Sequence, residues 1–158
     1  MKLAVGFDEE VVPWVASRIP AVLTPENFGP CVSIGVVDDR ADKILAGVVY
    51  HNAQPRFKAL EVSMAAGDSR WMSRAVVNSL LAYPFVQLGC VRITAIVSRK
   101  NKRTMKLLHG LGFVREGLIR RGFVNQDAVI FGMLAKEWRN SRWAQPKADG
   151  SLRLAEVA

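Results

Sequence analysis

Cysteine, histidine and tyrosine are scarce in this chain, with two of each in 158 residues. Cys31 and Cys90 sit inside strand-like runs; two cysteines cannot build the disulfide framework of a small secreted domain and suit buried thiols in a reducing compartment. With only His51 and His109 beside them, no metal-ligand constellation is present and no Cys/His nucleophile pair is apparent. No apolar run approaches the roughly 20 residues that a membrane-spanning helix needs. The N-terminus, MKLAVGFDEE, turns acidic where a secretory signal would carry its apolar stretch, so secretion is not expected. The expectation is a soluble cytoplasmic protein.

Acidic residues are scarce in one half only. Residues 1–79 hold 8 Lys/Arg against 9 Asp/Glu, and residues 80–158 hold 14 against 5, so the formal net charge of +8 is concentrated in the second half. Basic surface of this kind attracts polyanions, either nucleic acid or a small ligand with several phosphates, although scattered lysines and arginines are more often a solvated face. Half of the residues are hydrophobic, enough for one domain with its own core.

Periodicity divides the chain into alternating elements. LAVGF reads as a short strand, and Asp8 as the N-cap of a helix carrying Val11, Val12, Val15 and Ile19. Residues 20–30 are loop, with three prolines and a glycine. CVSIGVVDD and KILAGVVYHN form an antiparallel hairpin. FKALEVSMAAG is a third strand, with Phe57, Ala59, Glu61, Ser63 and Ala65 on one face. A helix over Arg70–Val86 follows, shortened or kinked near Pro84. CVRITAIVS is apolar enough for burial on both faces. A helix over Lys102–Gly110 and a hairpin around Asn125–Asp127 complete the order. Residues 1–138 read as one mixed α/β domain and 139–158 as a tail, with the stretch from Lys136 on partly packed through Trp138 and Trp143.

Two phrases carry a further signal. NKRTMKLLHGLGFVREGLIRR supplies Asn101, Thr104, Leu107, Leu108, Leu111, Gly112, Phe113, Glu116, Gly117 and Arg120 at fixed spacing, and YPFVQLGCVRITAIV precedes it. Together they resemble the GNAT superfamily of acetyl-CoA-dependent N-acyltransferases, most closely the branch that includes the ribosomal-protein N-terminal acetyltransferases. The resemblance covers about residues 61–138. It implies an α+β fold: a central mixed, mostly antiparallel sheet flanked by helices and splayed between strands 57–66 and 90–98 to admit the cosubstrate. It also implies acetyl transfer from acetyl-CoA to a primary amine by direct transfer, without a metal.

By that resemblance the pantetheine arm lies along Ser63, Met64 and Ala65. The pyrophosphate lies at the helix start formed by Arg70, Trp71, Met72, Ser73, Arg74 and Ala75, where free backbone N–H groups and the helix dipole favour an anion. Ser73 departs from the family pattern, which has glycine there. Asn101 is the cosubstrate-contacting asparagine, with Arg103 beside it in a cluster of four cations (Arg99, Lys100, Lys102, Arg103) that calls for an anion nearby. Glu61 is the candidate general base, its carboxylate set in an apolar strand; Asn101 and Thr104 are candidates to meet the leaving sulfur. Many members place a tyrosine acid seven residues after the asparagine, where this chain has Leu108. Each residue also has a structural reading: Glu61 as a solvent-facing residue paired with Lys58 or Arg56, Asn101 as an N-cap, and Thr104 as packing. Tyr50 and His51 end a strand that could face the acceptor.

The acceptor class stays open among a peptide N-terminus, an aminoacyl-RNA and a small molecule; nucleic-acid binding and a homodimer also stay open. The alternative function is a degenerate GNAT-fold binding protein that grips a protein or nucleic-acid partner with its basic face.

Overall fold

The computed structural model describes residues 1–22, 24–144 and, as backbone, 153–155. The strands are β1 (Lys2–Val5), β2 (Cys31–Asp38), β3 (Lys43–Gln54), β4 (Ala59–Ala66), β5 (Arg92–Ser98), β6 (Val114–Phe123), β7 (Gln126–Leu134) and β8 (Arg153–Ala155). The helices are α1 (Asp8–Ala16), α2 (Arg74–Ala82), α3 (Lys102–Leu111) and α4 (Ala135–Arg139). The strands form one sheet in the order β6-β7-β5-β4-β3-β2-β1-β8. Neighbours are antiparallel except β4–β5 and β1–β8. Within the described residues, no helix is long and apolar enough to cross a membrane.

Each face of the sheet has its own core. On one, α2 buries Val76, Val77, Leu80 and Leu81, and α3 buries Leu108 and Leu111, over Val48, Leu60, Ile93 and Met133. On the other, α1 buries Val11, Val12, Val15 and Ala16 beside Phe28 and Val49. Helix α1 comes this close because two residues beneath it lack side chains: a Cβ at Gly47 would lie 2.6 Å from a Val15 methyl, and one at Gly35 2.9 Å from a Val11 methyl. Helix α3 ends as its Leu-Gly-Phe sequence dictates. Gly112 takes φ +100°, the left-handed conformation that glycine adopts without steric cost, and the Phe113 N–H folds back to the Leu108 carbonyl at 3.0 Å.

Several elements differ from the sequence expectation for identifiable reasons. Phe7, not Asp8, holds the N-cap position of α1; the Asp8 carboxylate instead accepts from Ser33 N (2.7 Å) and Ser33 Oγ (2.5 Å), tying α1 to β2. The helix expected over 70–86 begins with a separate 3-10 turn (Ser69–Trp71) before α2, and ends, as expected, near Pro84, which a π turn over Tyr83–Gln87 absorbs. Phe57 belongs to a tight turn ending at left-handed Lys58, so it does not share the face of Glu61. Strand β5 is buried on one face only, through Ile93 and Ala95, because its other face carries Arg92 and Thr94.

Trp138 is buried in α4 and stacks on Phe85, with ring centroids 5.5 Å apart. The Trp143 indole N–H donates to the Gly110 carbonyl (3.2 Å), and the Trp143 carbonyl accepts from Asn78 Nδ2 (2.8 Å). Of the expected tail, residues 145–152 and 156–158 lie outside the described residues, and Arg153–Ala155 runs beside β1.

Candidate active site

Strands β4 and β5 pair over three positions only, Ala59–Arg92, Leu60–Ile93 and Glu61–Thr94. Each is held along its outer edge, β4 by β3 and β5 by β7 over Arg92–Ser98, while the inner edges diverge. A cavity of about 530 Å³ occupies the gap. Its lining includes Val62, Ser63 and Met64 from β4, Ala95 and Val97 from β5, and Trp71 with Leu80 beneath. The expected splay between these two strands is therefore present. Inner strand edges carry backbone polar groups and the floor is apolar, a surface that fits a slender chain with amides along it.

Helix α3 delivers the next residues. Asn101 caps it, its Oδ1 accepting the Thr104 N–H at 3.1 Å, which leaves the carboxamide NH₂ to donate elsewhere. Asn101, Thr104 and Lys100 line the cavity, as does Leu108, the residue at the expected tyrosine position. Arg99 reaches Asp127 at 3.4 Å, whereas Lys102 and Arg103 are exposed on the first turn. Phe123, Asn125 and Gln126 bring the β6–β7 turn to the same cavity, and Ser98 hydrogen-bonds to Gln126.

At the start of α2 the expected anion-binding residues are largely committed to one another. Ser73 is the N-cap, its Oγ accepting the Val76 N–H at 3.2 Å. Arg70 is clamped by Asp68 (Nη2 to Oδ2, 2.8 Å) and reaches Asp38 (3.2 Å). Hydrogen bonds from the Arg70 side chain and backbone hold the Asp68 carboxyl down at about 2. The Arg74 Nε donates to the Arg142 carbonyl. Trp71 is buried and Met72 is exposed. The structure thus brings Ser63, Met64, Trp71, Asn101 and Thr104 to one cavity; Ala65, Arg70, Met72, Ser73, Arg74, Ala75, Arg103 and Glu61 are not part of its lining.

Glu61 lies on the opposite sheet face from Leu60, at the last position where β4 and β5 still pair. It is half-buried, its Oε1 accepts from Asn52 Nδ2 at 2.8 Å, and His51 stands directly across on β3. Among the described residues, no group of three or more His, Cys, Asp or Glu is placed to hold a metal ion.

Comparison with solved structures identifies the fold. A chimera of the spermidine N-acetyltransferase SpeG from Vibrio cholerae superposes with a TM-score of 0.71 at 17% identity, over 89% of this chain and 100% of that one. The fold is that of the GNAT acetyltransferases. The ribosomal-protein-S5-alanine acetyltransferase of Vibrio fischeri shares this GNAT fold with a TM-score of 0.58 and 25% identity, over 83% and 84% of the two chains. In sequence, the chain is similar to an uncharacterized N-acetyltransferase of Bacillus subtilis, YoaA, 27% identical over 89 residues. That match spans 54% of this chain and half the length of the relative. No family model matches the chain.

Within this GNAT frame the sequence reading missed an ion pair. Arg92 Nη2 meets Glu116 Oε1 at 2.6 Å, joining the two GNAT-like phrases across β7. Both residues had been visible as motif positions, but their meeting depends on sheet order, which spacing along the chain does not reveal.

Proposed function

We propose that this chain is a cytoplasmic N-acetyltransferase that moves an acetyl group from acetyl-CoA to a primary amine. The observation that carries the reading is the cavity between the divergent edges of β4 and β5, with Asn101 and Thr104 on its wall. Acetyl-CoA supplies the acyl group as a thioester. The backbone edge of residues 62–65 holds the amide-bearing arm, and the start of α2 holds the pyrophosphate through N–H groups and the positive end of the helix dipole. Trp71 and Leu80 form part of the apolar floor of the cavity. Lys100, Lys102 and Arg103 supply positive charge beside it for the remaining phosphate.

At the chemical end, the Asn101 carboxamide and the Thr104 hydroxyl are the donors toward the departing sulfur, a role Leu108 cannot fill. Glu61 is the carboxylate at the apex of the cleft, where its charge favours a cationic amine before it loses a proton. Much of the acceleration then comes from holding amine and thioester together.

Calorimetric titration with acetyl-CoA, after removal of any CoA that co-purifies, tests the reading. Micromolar binding supports it, and release of free thiol on adding peptide, RNA-linked or small amines then identifies the acceptor. A folded protein that binds no acetyl-CoA overturns it.

A further inference from the structure

The strand register sets a line of polar side chains across the apex of the cleft: Cys31 on β2, His51 on β3, Glu61 on β4 and Thr94 on β5. From the middle of that line the His51 Nε2 reaches to 2.8 Å from Ser63 Oγ, two residues along β4 toward the open part of the cleft. Ser63 borders the cavity, and Phe28 packs on the imidazole with ring centroids 5.0 Å apart. A residue bordering the cavity therefore carries a hydroxyl that is hydrogen-bonded to a half-buried imidazole. Two apolar side chains would pack under Phe28 at less desolvation cost, so the sequence retains a polar pair where folding alone does not ask for one.

We propose that Ser63 and His51 form a proton relay that neutralises the acceptor amine before it attacks. Resting on the acetyltransferase reading above, this assigns the path of the proton in the same site. The ammonium N–H bond breaks as Ser63 Oγ takes the proton. The original Ser63 O–H bond breaks in the same movement, as His51 Nε2 takes that proton. The amine gains its lone pair, and the imidazolium formed stands opposite the Glu61 carboxylate until it returns the proton to solvent. Ser63 touches the substrate; His51 acts through it.

The surroundings suit the task. Burial pushes the His51 imidazole below its ordinary value, and the charge of Glu61 opposes that shift. The groups facing His51 are Glu61 from β4 and Cys31 from β2. Burial pushes the Cys31 thiol up, and the Asp8 charge adds to the shift. Phe28 contributes no charge. Burial thus favours the neutral imidazole, the form that can accept a proton.

Two measurements decide the matter. With only two histidines, the ¹⁵N imidazole signals of labelled protein separate readily. His51 should hold Nε2 unprotonated at pH 7 and titrate below the usual histidine value, and Ser63→Ala should move that titration. A titration indifferent to Ser63→Ala overturns the hydrogen-bonded pair. Transfer is then followed with two probe amines, spermidine, which is protonated at pH 7, and hydroxylamine, which is neutral. His51→Gln and Ser63→Ala should each slow spermidine acetylation roughly 100-fold and flatten its acid limb. Both variants should slow the hydroxylamine reaction only a few-fold, and His51→Gln, at a residue outside the cavity lining, should leave acetyl-CoA affinity unchanged. Equal losses with both amines, or an unaltered pH profile, overturn the relay while the acetyltransferase reading stands. A wild-type protein that neither binds acetyl-CoA nor acetylates either amine overturns both.

Discussion

The Tyr50 hydroxyl donates to the Leu80 carbonyl at 2.8 Å, linking the central strand β3 to α2 inside the core. In an uninterrupted helix that carbonyl accepts from the residue four positions on, which here is Pro84 and has no N–H. Tyr50 supplies the donor that Pro84 lacks. Burial, with the neighbouring Tyr83 adding to it, pushes the phenol well above its usual value. Although Tyr50 borders the cavity, its proton is thereby committed to structure and not to the chemistry.

Tyr50→Phe should destabilise the protein by about 1–3 kcal/mol, the cost of leaving a buried carbonyl unpaired. Pro84→Ala in the Tyr50→Phe background should recover part of that loss, since residue 84 regains its N–H. Urea unfolding of the wild type, both single variants and the double variant measures the coupling. Simple additivity of the two changes would show that Tyr50 and Pro84 do not share the Leu80 carbonyl.

Arg92 and Glu116 meet across β7 because Gly132 leaves room between them: a Cβ at Gly132 would lie 1.8 Å from Glu116 Oε1 and 2.6 Å from Arg92 Nη2. The pair is about one-third exposed, so solvent limits its worth to about 1 kcal/mol or less. Gly132→Ala should evict it and lower the melting temperature by about 2–4 °C. It should then cost little more in a Glu116→Ala background, where the clash is gone. The Arg92 guanidinium holds the Glu116 carboxyl below its usual range, so the contribution is fully present above that range and is lost as pH falls through the lowered folded value. The stability difference between wild type and Glu116→Gln should accordingly disappear in acid. A Gly132→Ala cost unchanged by Glu116→Ala would place the clash elsewhere.

The elements were legible from local order, and the splayed sheet from the resemblance. Asn101 as a cap, Gly112 as a left-handed stop and the apolar, β-branched runs of β2 and β3 are written residue by residue. What could not be read were contacts set by sheet order and by helix irregularity. The broken α2 turns on how Pro84 is accommodated, and Tyr50 gives no sign in the sequence of reaching it. The register that sets His51 diagonal to Ser63 depends on a bulge between His51 and Gln54, which the pattern of apolar residues does not encode. The cavity residues Ser63, Met64, Trp71, Asn101 and Thr104 were named from the resemblance, whereas the contribution of the β6–β7 turn was not, since Asn125 and Gln126 look like ordinary turn residues.

Asp68 competes with any phosphate for Arg70. It both caps the turn before α2, accepting the Arg70 N–H at 2.9 Å, and clamps the guanidinium. With its carboxyl held at about 2, no ordinary assay pH releases the arginine. Asp68→Asn keeps a side-chain oxygen for the cap and removes the charge. It should tighten acetyl-CoA binding several-fold in low salt, with most of the gain gone at high salt, because the freed guanidinium is exposed. Unchanged affinity by calorimetry would show that Arg70 lies beyond reach of the pyrophosphate.

Ser73 stands where the family pattern has glycine, and the hydroxyl already holds the Val76 N–H as an N-cap. That N–H is one of the few unpaired donors a helix start offers an anion, so the cap withdraws part of the site while stabilising α2. Ser73→Ala should cost about 1 kcal/mol of stability and tighten acetyl-CoA binding less than glycine does, since it releases the Val76 N–H but keeps the Cβ. Ser73→Gly should cost only a few tenths of a kcal/mol, release the Val76 N–H, remove the Cβ and tighten acetyl-CoA binding several-fold. Weaker binding by Ser73→Gly in the same titration would mean that the hydroxyl, still able to donate its own proton while accepting from Val76, is a phosphate ligand in its own right.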